Sequence, residues 1–503
     1  MTEVELKFSV DPLRAEAVDA ALRRLGAKRV TIESIYFDTE DRRLAEAGLS
    51  LRLRRIGRAW EQTLKAPGSH AAERAEETVP RRGRWDGEGP PIQPQLHAGT
   101  PAGAELAHLS GKAGLAGDAL RSVYSSVIVR RSVEVRIGDA RVEVAFDRGV
   151  IRAGERAVDV CEVEYEIKAG DAQALCAVAR TGVLEHGMWW NPLSKAVRGD
   201  RLLRGTDVAP ATRAAPAGVV RGLSGPALVR TTLKSCLDQA LANAGEIVAG
   251  HHDAEPIHQL RVGLRRLRTV SRELGAVGEF GDQAWALAVG ETLRALGEYR
   301  DRQTVATSMQ DRLTAAGSPQ PAIAAARADA PDPVSVVHGA QFQCALLDVF
   351  SRTLEPSPAQ AWAAPRGRAN EVGADEALRL VAARFDALHR LVQRSAKRFE
   401  RLDADRQHGV RKRVKTLRYL AEILSPLYRT RAVERYLARL RPAQDALGAH
   451  VDTLVALRMA REAAQGGDGA AWFNVGWLSA QLPASARRCR DALRQAAGAR
   501  PFW

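Results

Sequence analysis

The chain opens "MTEVELKFSV" (1–10), and the reading of "EVELK" (3–7) decides what kind of protein follows. Side chains alternate faces along a strand, so Glu3, Glu5 and Lys7 share one side while Val4, Leu6 and Phe8 share the other. An open antiparallel sheet would leave the charged side in water and put the apolar side on a core. A closed barrel could turn the charges inward around a wet cavity. Taken alone, the stretch favours the open sheet.

Working outward, the same grammar recurs. "SIYFDT" (34–39), "LSLRLRRI" (49–56), "AWEQTLKA" (59–66), "ERAEETVP" (73–80), "VIVRRSVEVRIG" (127–138), "ARVEVAFDRGVI" (140–151) and "DVCEVEYEIKAG" (159–170) alternate or carry β-branched residues. Short Gly-containing turns such as "IGDA" link several of them, the mark of antiparallel hairpins. Helical patterns near 11–25 and 171–186 interrupt the strands. Residues 83–117 read as an inserted loop with a short helix, and 205–222, rich in Ala and Pro, as a linker.

Beyond the linker the period becomes helical. "HQLRVGLRRLR" (258–268) and "HGVRKRVKTLR" (408–418) share His, Arg, Leu and Arg at equal offsets, and "LGEYRD" (296–301) is echoed by "LGAHVD" (447–452). The two pairs lie 150 and 151 residues apart. A duplicated helical unit follows, its second copy starting near 376, with the weak stretch 315–335 read as a loop between helical blocks.

Charge separates the halves as sharply as period does. Residues 1–210 hold 32 Lys and Arg against 31 Asp and Glu, and residues 211–503 hold 42 against 29. The second half is therefore strongly basic and suited to a polyanion. Five scattered cysteines fit neither a disulfide framework nor a zinc site, and no export signal or membrane-spanning run is apparent, so a cytoplasmic location is expected.

Several strands repeat the charged face of the first: Arg52 and Arg54; Glu61, Thr63 and Lys65; Glu143 and Asp147; Glu162, Glu164 and Glu166. An interior lined by carboxylates and by Lys and Arg suits a polyphosphate carrying a hard divalent cation, which takes carboxylate oxygens while the basic side chains neutralise phosphate. No Ser-His-Asp set, phosphate-cradling P-loop, GxGxxG or cysteine nucleophile offers a rival chemistry. On helices, His258, Arg261, Arg265 and Arg268 fall within about 80° of one another, as do His408, Arg411, Lys415 and Arg418, with Lys412 alongside. Few aromatic residues accompany these stripes, Tyr299 and Tyr419 being the nearest, which argues against nucleic acid.

"EVELKF" resembles the ExExK opening of the CYTH superfamily of triphosphate tunnel metalloenzymes. The likeness continues in order through "YFDT", "LRLRR", "TLKAPG", "RAEE", Arg130, "VEVAFDRG", "CEVEYEI" and "NPLSKAVRG" (191–199), covering nearly all of 1–204. The resemblance implies an α+β fold, an antiparallel closed β-barrel tunnel of eight strands, that binds triphosphates with Mg²⁺ or Mn²⁺. It implies Glu3, Glu5, Glu76, Glu162 and Glu164 as metal ligands, with Glu77 a neighbour that points the other way. Lys7, Arg52, Arg54, Lys65, Arg130, Lys195 and Arg198 are implied as phosphate binders, with Arg131 a rival to Arg130, and Glu3, Glu5, Lys7 and Lys65 as the catalytic set. Residues 223–497 resemble the CHAD domain, an all-α duplicated helical bundle. That likeness implies His258, Arg261, Arg265, Arg268, His408, Arg411, Lys412, Lys415 and Arg418 as ligands of inorganic polyphosphate. His450 stands where that family often has an uncharged polar residue.

The expected function is hydrolysis of inorganic triphosphate, coupled to polyphosphate binding and association with polyphosphate granules. A CYTH adenylate cyclase, a thiamine or nucleoside triphosphatase, and a non-catalytic polyphosphate scaffold are the alternatives.

Overall fold

The computed structural model describes residues 2–67, 73–82, 89–111, 120–251, 253–278, 284–319, 331–354 and 372–503. Parts of the expected loops at 83–117 and 315–335 lie outside these. The described chain forms two compact units: 1–212 with 241–256 and 337–363, and 213–240 with 257–336 and 364–503.

The first unit is built on β1 (Thr2–Ser9), β2 (Lys28–Asp38), β3 (Ser50–Ile56), β4 (Ala59–Pro67), β5 (Glu73–Arg81), β6 (Arg121–Ile137), β7 (Ala140–Ala153), β8 (Arg156–Ala169) and the two-residue β9 (Trp189–Trp190). The order is β5-β4-β3-β2-β6-β7-β8-β1-β9, with antiparallel pairing throughout. β1 also pairs back to β5 at Thr2↔Ala75, Glu3↔Arg74 and Val4↔Glu73, so eight strands return on themselves around a lumen. The β6–β7 and β7–β8 hairpins turn on two residues each, with Gly138 (φ 55°) and Gly154 (φ 59°) supplying the left-handed backbone such tight turns require.

Apolar side chains outside the ring pack under helices. Leu51 and Leu64 join Leu44 of α2 (Arg43–Glu46) and Ala102 and Leu106 of α3 (Pro101–Gly111). α1 (Ala15–Arg24) buries Val18 and Leu22. α4 (Gln173–His186) follows β8, and α5 (Lys195–Arg204) begins at Ser194, whose Oγ accepts the Val197 N–H at 3.2 Å. Not all of the inward face is charged. Ile32, Ile128, Ile151 and Val160 share the parity of the charged residues and pack with Leu202 of α5, leaving one part of the interior dry.

The remaining helices are α6 (Gly225–Val248), α7 (Ala254–Gly278), α8 (Trp285–Ala315), α9 (Pro333–His338), α10 (Ala340–Thr353), α11 (Ala374–Arg398), α12 (Ala404–Ile423), α13 (Thr430–Gln465) and α14 (Ala471–Ala497). The repeated motifs occupy corresponding places: the His/Arg stripes on α7 and α12, and "LGEYRD" and "LGAHVD" on α8 and α13. α7 and α12 meet where Arg272 donates to Thr416 Oγ1 at 3.0 Å. The core of the second unit sets Val305, Met309 and Leu313 against Ala456, Leu457, Ala460 and Leu478. No described helix is long and apolar enough to cross a membrane.

The stretch read as a linker is pinned along its first part. Ala209 N–H donates to Glu246 at 2.8 Å, and Thr212 exchanges two hydrogen bonds with Asn243 at 3.1 and 2.8 Å.

Candidate active site

The lumen holds a cavity of about 580 Å³ lined by charged side chains of both signs. Strand alternation delivers them: Glu5 and Lys7 from β1, Arg52 and Arg54 from β3, Lys65 from β4, Glu76 from β5, Arg130 from β6, and Glu164 and Glu166 from β8. Lys195 enters from the first turn of α5. That helix lies close because Gly199 faces the Tyr124 ring, where a Cβ would fall 2.3 Å from ring carbons.

On one wall, Asp147, Glu162 and Glu164 bring carboxylate oxygens within 4.8 Å of one another. Lys195 Nζ sits among them, at 2.6 Å from Asp147, 2.5 Å from Glu162 and 2.8 Å from Glu164. Lys7 lies 3.3 Å from Glu5, 3.1 Å from Glu164 and 4.0 Å from Glu162. Arg130 holds Asp147 bidentately at 2.7 Å and also reaches Glu164, while Arg198 lies 3.1 Å from Glu162. On the other wall, Glu76 pairs with Lys65 and lies 3.5 Å from Arg52.

Electrostatics fix the charge states. Burial alone would raise the Glu164 carboxyl, but Lys195, Lys7 and Arg130 outweigh it and hold it well below the usual carboxylate range. Asp147 is lowered in the same way, burial being overcome chiefly by Lys195. Burial would lower Lys7 and Lys195, yet the surrounding carboxylates raise both. At neutral pH Asp147, Glu164, Lys7 and Lys195 are therefore ionised. Arg54 differs: burial and the neighbouring Arg52 and Arg130 push it down to about 10, and its buried Nε has no hydrogen-bond partner among the described residues. Among the described residues no carboxylate lies within ion-pair distance of it, Glu164 acting only from farther away. Burying this many charges carries a desolvation cost that an apolar core would not, so such a network is weak evidence for stability and points to a functional site.

Three neighbouring carboxylates offer the hard oxygen donors that Mg²⁺ or Mn²⁺ takes. The residue types therefore fit a divalent ion.

The sequence-derived set is largely gathered here: Glu5, Lys7, Arg52, Arg54, Lys65, Glu76, Arg130, Glu164 and Lys195 line the cavity, with Glu162 behind them. Glu3 sits in β1 opposite Arg74, and its side chain lies outside the described residues. Arg131 faces away and pairs with Asp19 of α1 at 2.6 Å, which separates it from Arg130. Sequence reasoning did not nominate Asp147, although its even spacing from Glu143 was visible. Glu143 and Glu166, placed on charged faces but given no role, and Tyr36, Lys168 and Trp190, not singled out, also line the cavity.

On the helices, His258, Arg265, His408, Arg411, Lys415 and Arg418 are half-buried, and Arg268 and Lys412 are exposed. Arg261 is buried at 2% exposure, so that member of the stripe lies inside the unit. Tyr419 is buried too and offers no open face for stacking a base. His450 is a buried bridge, its ring nitrogens 3.0 Å from Ser485 Oγ and 2.9 Å from Gln407 Oε1, joining α12, α13 and α14.

Comparisons with known proteins divide the chain in the same sense. An inorganic triphosphatase of Haemophilus influenzae is 28% identical over 205 residues, covering 40% of this chain and 54% of that protein. The chain thus spans about half the length of the curated relative it matches. The solved CHAD domain of the plant Ricinus communis is 26% identical, covering 57% of this chain and 96% of that one at a TM-score of 0.46. A Hippeastrum protein described with a dominant triphosphatase activity is 17% identical, covering 41% of this chain and 98% of that one at a TM-score of 0.28. Residues 1–188 match the CYTH domain family and residues 231–461 match the CHAD domain family, in that order along the chain.

Proposed function

We propose that the lumen hydrolyses inorganic triphosphate with the help of Mg²⁺ or Mn²⁺. The observation that carries this reading is the pairing, across one cavity, of the Asp147/Glu162/Glu164 carboxylates with a cationic wall in which Arg54 has no close ion-pair partner among the described residues. Arg52, Arg54, Lys65, Arg130, Lys7, Lys195 and Arg198 hold phosphate oxygens, the arginines bidentately where geometry permits. Glu162, Glu164 and Asp147, with Glu3, Glu5 and Glu76, would hold the metal. A bound divalent ion would activate water and stabilise charge developing on the leaving phosphate. Lys65 and Lys7 neutralise the same developing charge from the protein side.

An inorganic substrate is favoured over a nucleotide by the lumen's aromatic rings. Trp190, 4% exposed, is wedged between Phe8 and Phe350, and Tyr36 is stacked on Tyr124 at 4.7 Å. Among the described cavity residues neither ring presents a free face to a base. Tripolyphosphate with Mn²⁺ or Mg²⁺ should release orthophosphate, whereas ATP under the same conditions should be turned over at least tenfold more slowly. A flat response with both metals would remove the reading, and faster turnover of ATP would replace it with a nucleotide phosphohydrolase.

The helical unit binds long-chain polyphosphate along the stripes on α7 and α12. Its excess of basic residues, their recurrence at a fixed offset and the burial of Tyr419 support a flexible polyanion without bases. Binding of long-chain polyphosphate to the full-length protein should weaken roughly tenfold or more between 50 and 200 mM salt, as displaced counterions demand. Combined reversal of the exposed charges, Arg268→Glu with Lys412→Glu, should weaken it further. Preference for RNA in direct competition would contradict the assignment.

A further inference from the structure

The lumen wall bearing Lys195 hangs from an unusually short element. β9 is two residues long, pairing Trp189 and Trp190 with Ser9 and Phe8 of β1. A strand that short has too few ladder bonds to hold its own place. Its support comes from Val337, His338 and α10, distant in sequence but part of the same compact unit. The Trp190 N–H donates to Gln343 Oε1 at 2.8 Å, and Gln343, 1% exposed, donates from Nε2 to the Val337 carbonyl at 2.7 Å. The Trp190 ring meets Phe350 edge-on at 5.3 Å, and Trp189 stacks on His338 at 3.9 Å.

From Trp190 a continuous set of bonds leads to the lumen. Asn191 N–H donates to the Lys7 carbonyl at 2.9 Å, and its side-chain amide donates to Ser9 Oγ at 2.9 Å. Asn191 Oδ1 accepts the Leu193 N–H at 3.0 Å, setting the turn that delivers Ser194 as the cap of α5 and Lys195 as its first residue. Lys195 Nζ must then meet three carboxylates at once. An ammonium held by three carboxylates at once is sensitive to displacement of its helix, because those partners are fixed on β7 and β8 and all three distances must be met together.

We propose that Gln343 is a positioning residue for Lys195, acting through Trp190 and Asn191. A stretch within the CHAD match thereby fixes part of the CYTH lumen. The catalytic consequence rests on the reading of the lumen as a triphosphatase site; the positioning itself does not.

The test uses the full-length protein and the Gln343→Met variant, which keeps side-chain volume but removes both hydrogen bonds. Acetic anhydride labelling, read by mass spectrometry, should modify Lys195 about tenfold faster in the variant because a buried donor has lost its acceptor. Lys65, on the opposite wall, should label at an unchanged rate. In the assay with tripolyphosphate and Mn²⁺, KM should rise more than kcat falls, and the effect should vanish in a Lys195→Met background. Should Gln343→Met fail to fold, Phe350→Leu loosens Trp190 from its other side and should give the same pattern. Unchanged Lys195 labelling overturns the proposal whether or not the protein turns over tripolyphosphate. Equal effects with and without Lys195 also overturn it. Selective Lys195 labelling without turnover would sustain the positioning and remove the activity reading instead.

Discussion

The Glu164→Gln variant is expected to lose about 10³-fold in kcat for tripolyphosphate, equivalent to about 4 kcal/mol of transition-state stabilisation. Glu164 stands at the centre of the cluster, contacting Lys195 at 2.8 Å, Lys7 at 3.1 Å and Arg130. Replacing its carboxylate removes one oxygen donor from a three-carboxylate set and one negative charge from among several cations. The first effect slows chemistry. The second frees Lys7 and Lys195 for phosphate, so KM should stay level or fall. This split separates a metal-ligand role from a binding role, in which KM would rise while kcat held. A variant within tenfold of the parent kcat, with its circular dichroism intact, would take Glu164 out of the chemistry.

The Glu246→Ala variant should carry the largest cost to stability, about 3–5 kcal/mol, because it strands a buried guanidinium. Arg201 and Glu246 are both nearly inaccessible and joined through the two terminal guanidinium nitrogens, and Glu246 also accepts the Ala209 N–H. The loss should read out as a lower denaturant midpoint. Pairing Arg201→Met with Glu246→Leu should recover most of it, since an apolar pair of similar volume carries no desolvation penalty. A single variant as stable as the parent would show that water reaches Arg201 in solution.

How much of this was legible beforehand differs from element to element. Strand alternation placed Glu5 with Lys7 and Arg52 with Arg54 because the period of two is geometric and survives any register. It could not say which side was inside, since an open sheet and a ring share one pattern. The β1–β5 pairing and the charged lumen answer that. Resolving Arg130 from Arg131 needed the register against β7, where Arg130 faces Asp147. Asp147 was seen as evenly spaced but not as a partner of Glu162, because the two are brought together by cross-strand pairing rather than by sequence. The dry patch of Ile32, Ile128, Ile151 and Val160 escaped notice because apolar residues of either parity read simply as core. Helical periodicity announced the buried face of α6 without naming what it covers, and did not pick out α10. Gln343 and Glu246, whose side chains meet partners far along the chain, left no local signal.

The discontinuous make-up of the first unit also sets an order of events during synthesis. β1 can pair along its length only after β8 has emerged, as the Glu5↔Glu166 register requires. Trp190 then waits for Gln343. At 5–20 residues per second, the interval between the arrivals of Trp190 and Gln343 is roughly 8–31 s. Over that time the nascent ring carries its charged lumen without its last brace. A chaperone that shields the β9 edge during translation would therefore raise the yield of active protein more than one acting after release.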